Sequence, residues 1–257
     1  MKSIFITGAA AGIGKAIAEQ FHAAGWFVGL YDIDAQGVEK LAAELGENTA
    51  AGALNVTDSQ AWETQLKQFF DLAGGRLDAL VNNAGVLASG PFEEIPIQRH
   101  KAIADINFTG VMNGCHAALP YLKQTPGSCV VNMASASAMY GQPSLASYAA
   151  SKFAVRGFTE GLNLEWEAQG VRVVDVWPIF VQTAMVENMN AKSIQTMGVK
   201  LGPTDVAQVV EKAVNAGPNS HKVHWLVGND AKLLNLVIGL LPNSFIRWIN
   251  AKIGVGH

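Results

Sequence analysis

The chain of 257 residues is 49% hydrophobic and 15% charged, with 26 glycines and a formal net charge of −3. That composition supports a folded core with many tight turns and excludes a disordered chain. The slight acidity, with no basic stripe, argues against a nucleic-acid partner, and the two cysteines, Cys115 and Cys129, make no disulfide framework.

In chain order, the short apolar run after Lys2 passes straight into glycines without a cleavage region, so no secretory leader is expected and a cytoplasmic location is. SIFIT (3–7) reads as a buried strand. TGAAAGIG (7–14) follows it, and a helix begins near Ile13 and ends at Gly25. WFVGLYD (26–32) is a second strand ending on Asp32; Asp34 is placed to cap the next helix, which Gly46 closes. Further strand-like runs are TAAGALNV (49–56), LDALVNN (77–83), SCVVNMAS (128–135), VRVVDVWP (171–178) and KVHWLV (222–227). Cys115 falls on a helix and Cys129 opens a buried strand. SYAASKFAVRGFTEGLNLEWEA reads as one long helix stopped by Gly170.

Strand followed by helix, repeated, predicts an α/β fold: parallel strands in one sheet with helices on both faces and ligands at the carboxyl ends of the strands. No linker or repeat divides the chain. One domain is expected over 1–257, with an irregular insertion at 183–202 and an extension over 229–257.

A helix N-terminus gathers free N–H groups and partial positive charge, so a glycine turn in front of it can cradle a pyrophosphate. Gly8, Gly12 and Gly14 do not follow the common G-x-G-x-x-G spacing, and alone they read equally well as an ordinary turn. Asp32, 18 positions after Gly14, stands where a carboxylate would accept from the adenosine ribose hydroxyls and repel a 2′-phosphate. With no Arg or Lys between Gly8 and Gly14, NAD is expected over NADP.

Tyr148 and Lys152 are four apart on the long helix and share a face. An ammonium within about 4–6 Å lowers a phenol pKa by roughly 1–3. Ser135 ends a buried strand 13 residues earlier, and the SASAMYGQP segment between them reads as a loop.

TGAAAGIG, NNAG (82–85), Asn107 within NFTG, Ser135 and YAASK (148–152), in this order and spacing, resemble the short-chain dehydrogenase/reductase family from Ile4 to about Thr183. In that family TGxxxGxG replaces the common glycine fingerprint. The resemblance implies a Rossmann-type, doubly wound sheet of seven mostly parallel strands and an NAD(H)-dependent enzyme that interconverts a secondary alcohol and a ketone.

Carried over, it makes Tyr148 the acid/base and Ser135 a hydrogen-bond donor to the same substrate oxygen. Lys152 would lower the tyrosine pKa and hold the nicotinamide ribose, and Asn107 would keep a water in a proton relay from Lys152. Around the cofactor it sets Gly8, Gly12, Ile13 and Gly14 at the pyrophosphate turn, Asp32 on the ribose, Asn55 and Val56 at the adenine, and Asn83, Ala84 and Gly85 beside the central sheet. Pro178, Val181 and Thr183 fall near the nicotinamide amide. A homodimer or homotetramer through the Asn107 and Tyr148 helices is implied as well.

Two positions depart from the family pattern: Asn55 stands for the common Asp, and Ile179 for the usual glycine after Pro178, which touches the local backbone angle. Residues 183–202 correspond to the substrate lid, where Met185, Met189 and Met197 suit an irregular apolar ligand or serve as core filler. The tail LLNLVIGLLPNSFIRWINAKIGV is too short before Pro242 to span a bilayer. It could cover the pocket, join an oligomer interface, or lie in a membrane surface through Phe245, Trp248 and Ile249, the last being the least favoured. His221 and His224 are expected on one face of a strand, with no metal site, since further ligands are missing. The competing reading is a dinucleotide-binding regulatory or scaffold protein that keeps the fold without turnover.

Overall fold

The computed structural model describes residues 1–187, 198–217 and 219–254. Met189, Met197 and the side chain of Ile249 fall outside that description. Seven strands form one sheet: β1 Ser3–Thr7, β2 Phe27–Asp32, β3 Thr49–Ala53, β4 Ala79–Asn82, β5 Cys129–Met133, β6 Arg172–Trp177 and β7 His224–Leu226. Their order is β3-β2-β1-β4-β5-β6-β7, and every pairing is parallel. The order reverses between β1 and β4, which opens a crevice at the carboxyl ends of those two strands.

Side chains alternate across the sheet and feed two cores. Ile4, Ile6, Val28, Leu30, Val81, Val131 and Val174 face α1 (Gly12–Ala23), α2 (Ala35–Leu45) and the helix Pro203–Val214. Phe5, Tyr31, Leu80, Val130 and Val173 face α3 (Ser59–Leu72), α5 (Gly110–Leu122) and α6 (Ala146–Glu167). Because both faces are covered, the strands read as continuous apolar runs rather than alternating ones. Each fully buried large side chain contributes about 1.5–3 kcal/mol.

Local signals end the helices where the sequence places them. Asp34 Oδ1 accepts from Gly37 N at 3.0 Å and caps α2; Gly25, Gly46 and Gly170 take φ of +78°, +82° and +72°. Ahead of α5, α4 (Ile97–Ala104) runs into a π-helical turn, Asp105–Thr109. Beyond β7, the helices Asn229–Leu240 and Asn243–Gly254 break at Pro242; among the described residues no helix is long and apolar enough to cross a membrane.

The edge strands are shorter than their apolar runs. β3 stops at Ala53, because Asn55 Oδ1 accepts from Thr57 N at 3.1 Å and turns the chain. β7 has three residues, so the expectation for the two histidines fails: His221 lies outside the strand, and a spacing of three in a period-two element cannot share a face. His224 instead enters a charged cluster. Its Nδ1 lies 2.7 Å from Asp175 Oδ1 and its Nε2 3.1 Å from Glu160, which Arg156 Nε holds at 2.9 Å.

Burial pulls the His224 pKa down, but the hydrogen bond and charge of Asp175 together outweigh it and leave the imidazole raised. Burial likewise raises Asp175, against the pull of His224. A base whose folded pKa lies above its unfolded value stabilises fully below about pH 6.5, the ordinary histidine value, and that stabilisation is lost as pH rises through the raised value. The melting temperature is therefore expected to fall more steeply above about pH 6.5 in the native protein than in His224→Gln. Parallel slopes in thermal melts of the two would contradict this.

Candidate active site

At the carboxyl end of β1 the chain must turn sharply into α1. Gly8 and Gly12 take φ of +68° and +55°, which side chains rarely adopt. A Cβ on Gly8 would meet Asn83 Nδ2 at 2.8 Å and Ala84 Cα at 2.9 Å, and one on Gly14 would overlap the carbonyl oxygen of Gly8. At Gly8, Gly12 and Gly14 backbone stands where a side chain would, as a phosphate cradle requires.

NNAG locks the neighbouring strand end to the same turn. Thr7 Oγ1 accepts from Asn83 N at 3.0 Å and Ala84 N at 3.1 Å, while Asn83 Nδ2 donates to Thr7 O at 2.9 Å and Gly8 O at 3.2 Å. Asn82 points the other way, into a buried row: its Nδ2 donates to Asn132 Oδ1 at 2.9 Å, and Asn132 Nδ2 donates to Thr159 Oγ1 at 3.0 Å. At the end of β2, Asp32 Oδ2 accepts from Ala10 N and Oδ1 from Asp34 N, both at 3.1 Å. These bonds fix the carboxylate and leave roughly half of its four acceptor sites for a ligand.

Over the crevice lies a cavity of about 440 Å³. Gly8, Gly12, Ile13, Asp32, Asn55, Val56, Asn83, Ala84, Gly85, Tyr148, Lys152, Pro178 and Thr183 all line it. Gly14 and Val181 do not. Gly14 is a packing position that lets α1 close on the turn, and Val181 is buried, bridging to Leu201 and lining a smaller neighbouring cavity of about 80 Å³. Ile179 also lines that smaller cavity, and its φ is outside the left-handed region, so the missing glycine leaves no strain there.

The cradle fits a dinucleotide: close-approach glycines lie at the helix mouth, a carboxylate sits at one end and a Tyr–Lys pair at the other. Tyr148 lines both cavities, together with Ile13, Pro178, Thr183 and Met185.

Around Tyr148 the groups expected to act together are close. Lys152 is buried, and its Nζ donates to Met133 O at 2.7 Å and lies 5.6 Å from the Tyr148 ring centroid. Burial brings the Lys152 pKa down to about 8. Tyr148 is partly shielded, and burial raises its pKa while a hydrogen bond with Ser135 opposes the rise. Burial thus sets the direction of both shifts, and the ammonium is directed at a backbone carbonyl.

Asn107 is fully buried in the π turn. Its Oδ1 accepts from Val86 N at 2.8 Å, and its Nδ2 donates to Val86 O at 2.9 Å and Ser151 Oγ at 3.1 Å. A Cβ on Gly85 would stand 3.3 Å from Asn107 Oδ1 and 3.8 Å from Lys152 Nζ, so this glycine keeps the space between the two open.

Sequence reasoning passed over Ser137, Tyr140 and Gln142, which line the smaller cavity beside Ser135. The only available signal was their place in the loop between Ser135 and Tyr148.

The family model for short chain dehydrogenase matches residues 2–194, and the chain belongs to that family. It is 37% identical over 190 residues to D-threitol dehydrogenase of Mycolicibacterium smegmatis, covering 72% of each chain. To meso-2,3-butanediol dehydrogenase of Serratia marcescens it is 38% identical over 185 residues, covering 72% of this chain and 73% of the relative. Among solved structures, a 3-ketoacyl-(acyl-carrier-protein) reductase from Brucella melitensis complexed with NADH superposes with a TM-score of 0.82 at 27% identity, covering 88% of this chain and 96% of that one. A short-chain dehydrogenase/reductase from Burkholderia phymatum in complex with NAD gives 0.83 at 25% identity, covering 96% and 95%.

Proposed function

We propose that the protein is an NAD(H)-dependent oxidoreductase that interconverts a secondary alcohol and a ketone by tyrosine acid/base catalysis. The observation that carries this reading is the position of Tyr148, which lines both a dinucleotide-sized cavity and a small second one, with Ser135 and Lys152 buried beside it. A nicotinamide dinucleotide, when bound, supplies or accepts the hydride. Tyr148 gives its phenolic proton to the carbonyl oxygen in reduction and takes it back in oxidation, and the Ser135 hydroxyl donates a hydrogen bond to that same oxygen as charge develops on it.

Lys152 brings positive charge to the phenolate side of the exchange, and the space that Gly85 leaves between Lys152 and Asn107 supports a proton path. Gly8, Gly12 and Ile13 would hold the pyrophosphate, Asp32 the adenosine ribose, Asn55 and Val56 the adenine, and Thr183 with Pro178 the nicotinamide end. The fixed carboxylate of Asp32 supports NAD over NADP, since a 2′-phosphate there would face a like charge.

Native protein is expected to favour NADH over NADPH, and Asp32→Ser to shrink that preference by roughly tenfold, about 1.4 kcal/mol. Steady-state kcat/KM with the two cofactors checks it. A native preference for NADPH would defeat the assignment of Asp32.

A further inference from the structure

The two helices beyond β7, Asn229–Leu240 and Asn243–Gly254, are held to the body on one side. Ala231 is buried, and Leu234, Ile238 and Ile246 pack against the core that faces α3, α5 and α6. On the other side, apolar side chains stand in solvent. Leu233, Leu236 and Leu240 are 63%, 60% and 76% exposed, and Phe245 and Trp248 are 45% and 51% exposed. A single exposed leucine is ordinary, whereas a continuous set marks a contact surface.

The set is continuous by geometry. Positions 233, 236 and 240 fall at i, i+3 and i+7, which is one stripe of a helix. The stripe ends at the Pro242 break, and Phe245 and Trp248, whose rings stack at 5.3 Å, follow directly beyond it. Among the described residues, none of 229–254 lines either cavity of the candidate site, so the tail does not cover the pocket.

The charges around this surface have one sign. Lys232 stands four positions before Leu236 and shares its face, and Arg247 is exposed between Phe245 and Trp248. Residues 231–257 contain three Lys or Arg side chains, Lys232, Arg247 and Lys252, and no acid, in a chain whose net charge is −3. The one carboxylate on the two helices, Asp230, is already paired with Lys200 at 2.9 Å.

We propose that the two C-terminal helices form an anchor that lies on an anionic lipid surface, with the leucine stripe and the ring pair among the headgroups and Lys232 and Arg247 against their charge. The proposal stands apart from the chemistry assigned to Tyr148. Among the described residues no helix is long and apolar enough to cross a membrane, so the contact lies in the plane of the surface. Aromatic rings with basic neighbours suit the headgroup level. A second copy of the chain fits the same face less well: a two-fold contact sets one patch against itself, which brings Lys232 and Arg247 toward their own copies with no unpaired acid of this face to answer them.

The test sediments full-length native protein with vesicles of phosphatidylcholine alone and with vesicles of phosphatidylcholine and phosphatidylserine in equal parts. Beside it run two double variants, Leu236→Gln with Leu240→Gln and Lys232→Gln with Arg247→Gln. Native protein is expected to bind the phosphatidylserine vesicles at least about tenfold better than the others, since each basic side chain near an anionic surface is worth about fivefold. Added salt should weaken that binding. The leucine variant should lose at least about tenfold in binding with an unchanged melting temperature, because both side chains are exposed. The charge variant should lose the preference for phosphatidylserine, and it decides the matter if the leucine variant fails to fold.

No sedimentation of native protein with phosphatidylserine vesicles overturns the proposal. Equal binding to both vesicle types overturns it too, as does binding that the leucine variant keeps in full. Sedimentation velocity of the native and leucine-variant proteins tests the rival occupant: an oligomer that comes apart in the variant, with no vesicle binding by either protein, assigns the face to a second copy and overturns the lipid contact.

Discussion

Replacing Tyr148 by phenylalanine is expected to lower kcat by about 10²–10⁴-fold, the usual contribution of a positioned acid/base. The ring of Tyr148 survives in this variant, and with it the wall shared by the two cavities. Affinity for NADH should therefore change little, and stability should fall by no more than about 1 kcal/mol, the worth of the one hydrogen bond lost with Ser135. Stopped assays of cofactor oxidation beside a fluorescence titration of NADH separate the two effects. A loss of NADH binding equal to the loss of turnover would mean that Tyr148 is a cofactor-binding residue and no acid/base.

Gly14→Ala is the second change with a large expected effect, and it acts on the fold. The new Cβ would overlap the Gly8 carbonyl and press on Asn83 Nδ2, both of them tied into the clamp between β1 and β4. Neither can retreat without breaking the bonds that join TGAAAGIG to NNAG. Overpacking of this kind costs on the order of 3 kcal/mol, about 6–12 °C in melting temperature for a chain of this size. NADH affinity should fall as well, because the cradle glycines move with α1.

Gly157→Ala serves as the control: a Cβ at Gly157 meets nothing within 4 Å, and alanine inside α6 should be neutral or stabilising by up to about 1 kcal/mol. Calorimetry on the three proteins checks the pair. An unchanged melting temperature for Gly14→Ala would show that the turn is slack.

The architecture was legible because its signals are local. Strands buried on two faces read as apolar runs, Asp34 caps the helix it precedes, and Tyr148 and Lys152 share a face by spacing alone. What stayed hidden depends on contacts between distant segments. NNAG looked like a turn ending a strand, yet Asn83 works by clamping the β1 loop. Gly14 offered only its spacing in the turn, and its close packing on the Gly8 carbonyl and Asn83 exists only in the folded chain.

The direction of the Tyr148 shift could not be read from helix spacing, since burial outweighs the hydrogen bond with Ser135. Gln142 and Tyr140 carried no motif, and only the folded loop brings their polar atoms to one wall. His224 reached Asp175 through strand pairing in the sheet, 49 residues apart in sequence.

The central claim is that Tyr148 exchanges a proton in a nicotinamide-linked reaction. Its most direct test follows absorbance at the reduced-nicotinamide band, with native protein and Tyr148→Phe side by side, over a panel of small alcohols, ketones, diols and hydroxyketones. NAD(H)-linked turnover by native protein that is lost in Tyr148→Phe is the predicted result. Turnover that survives the substitution, or tight NADH binding with no turnover on any panel member, would contradict it; the second outcome would point to a dinucleotide-binding regulator of the same fold.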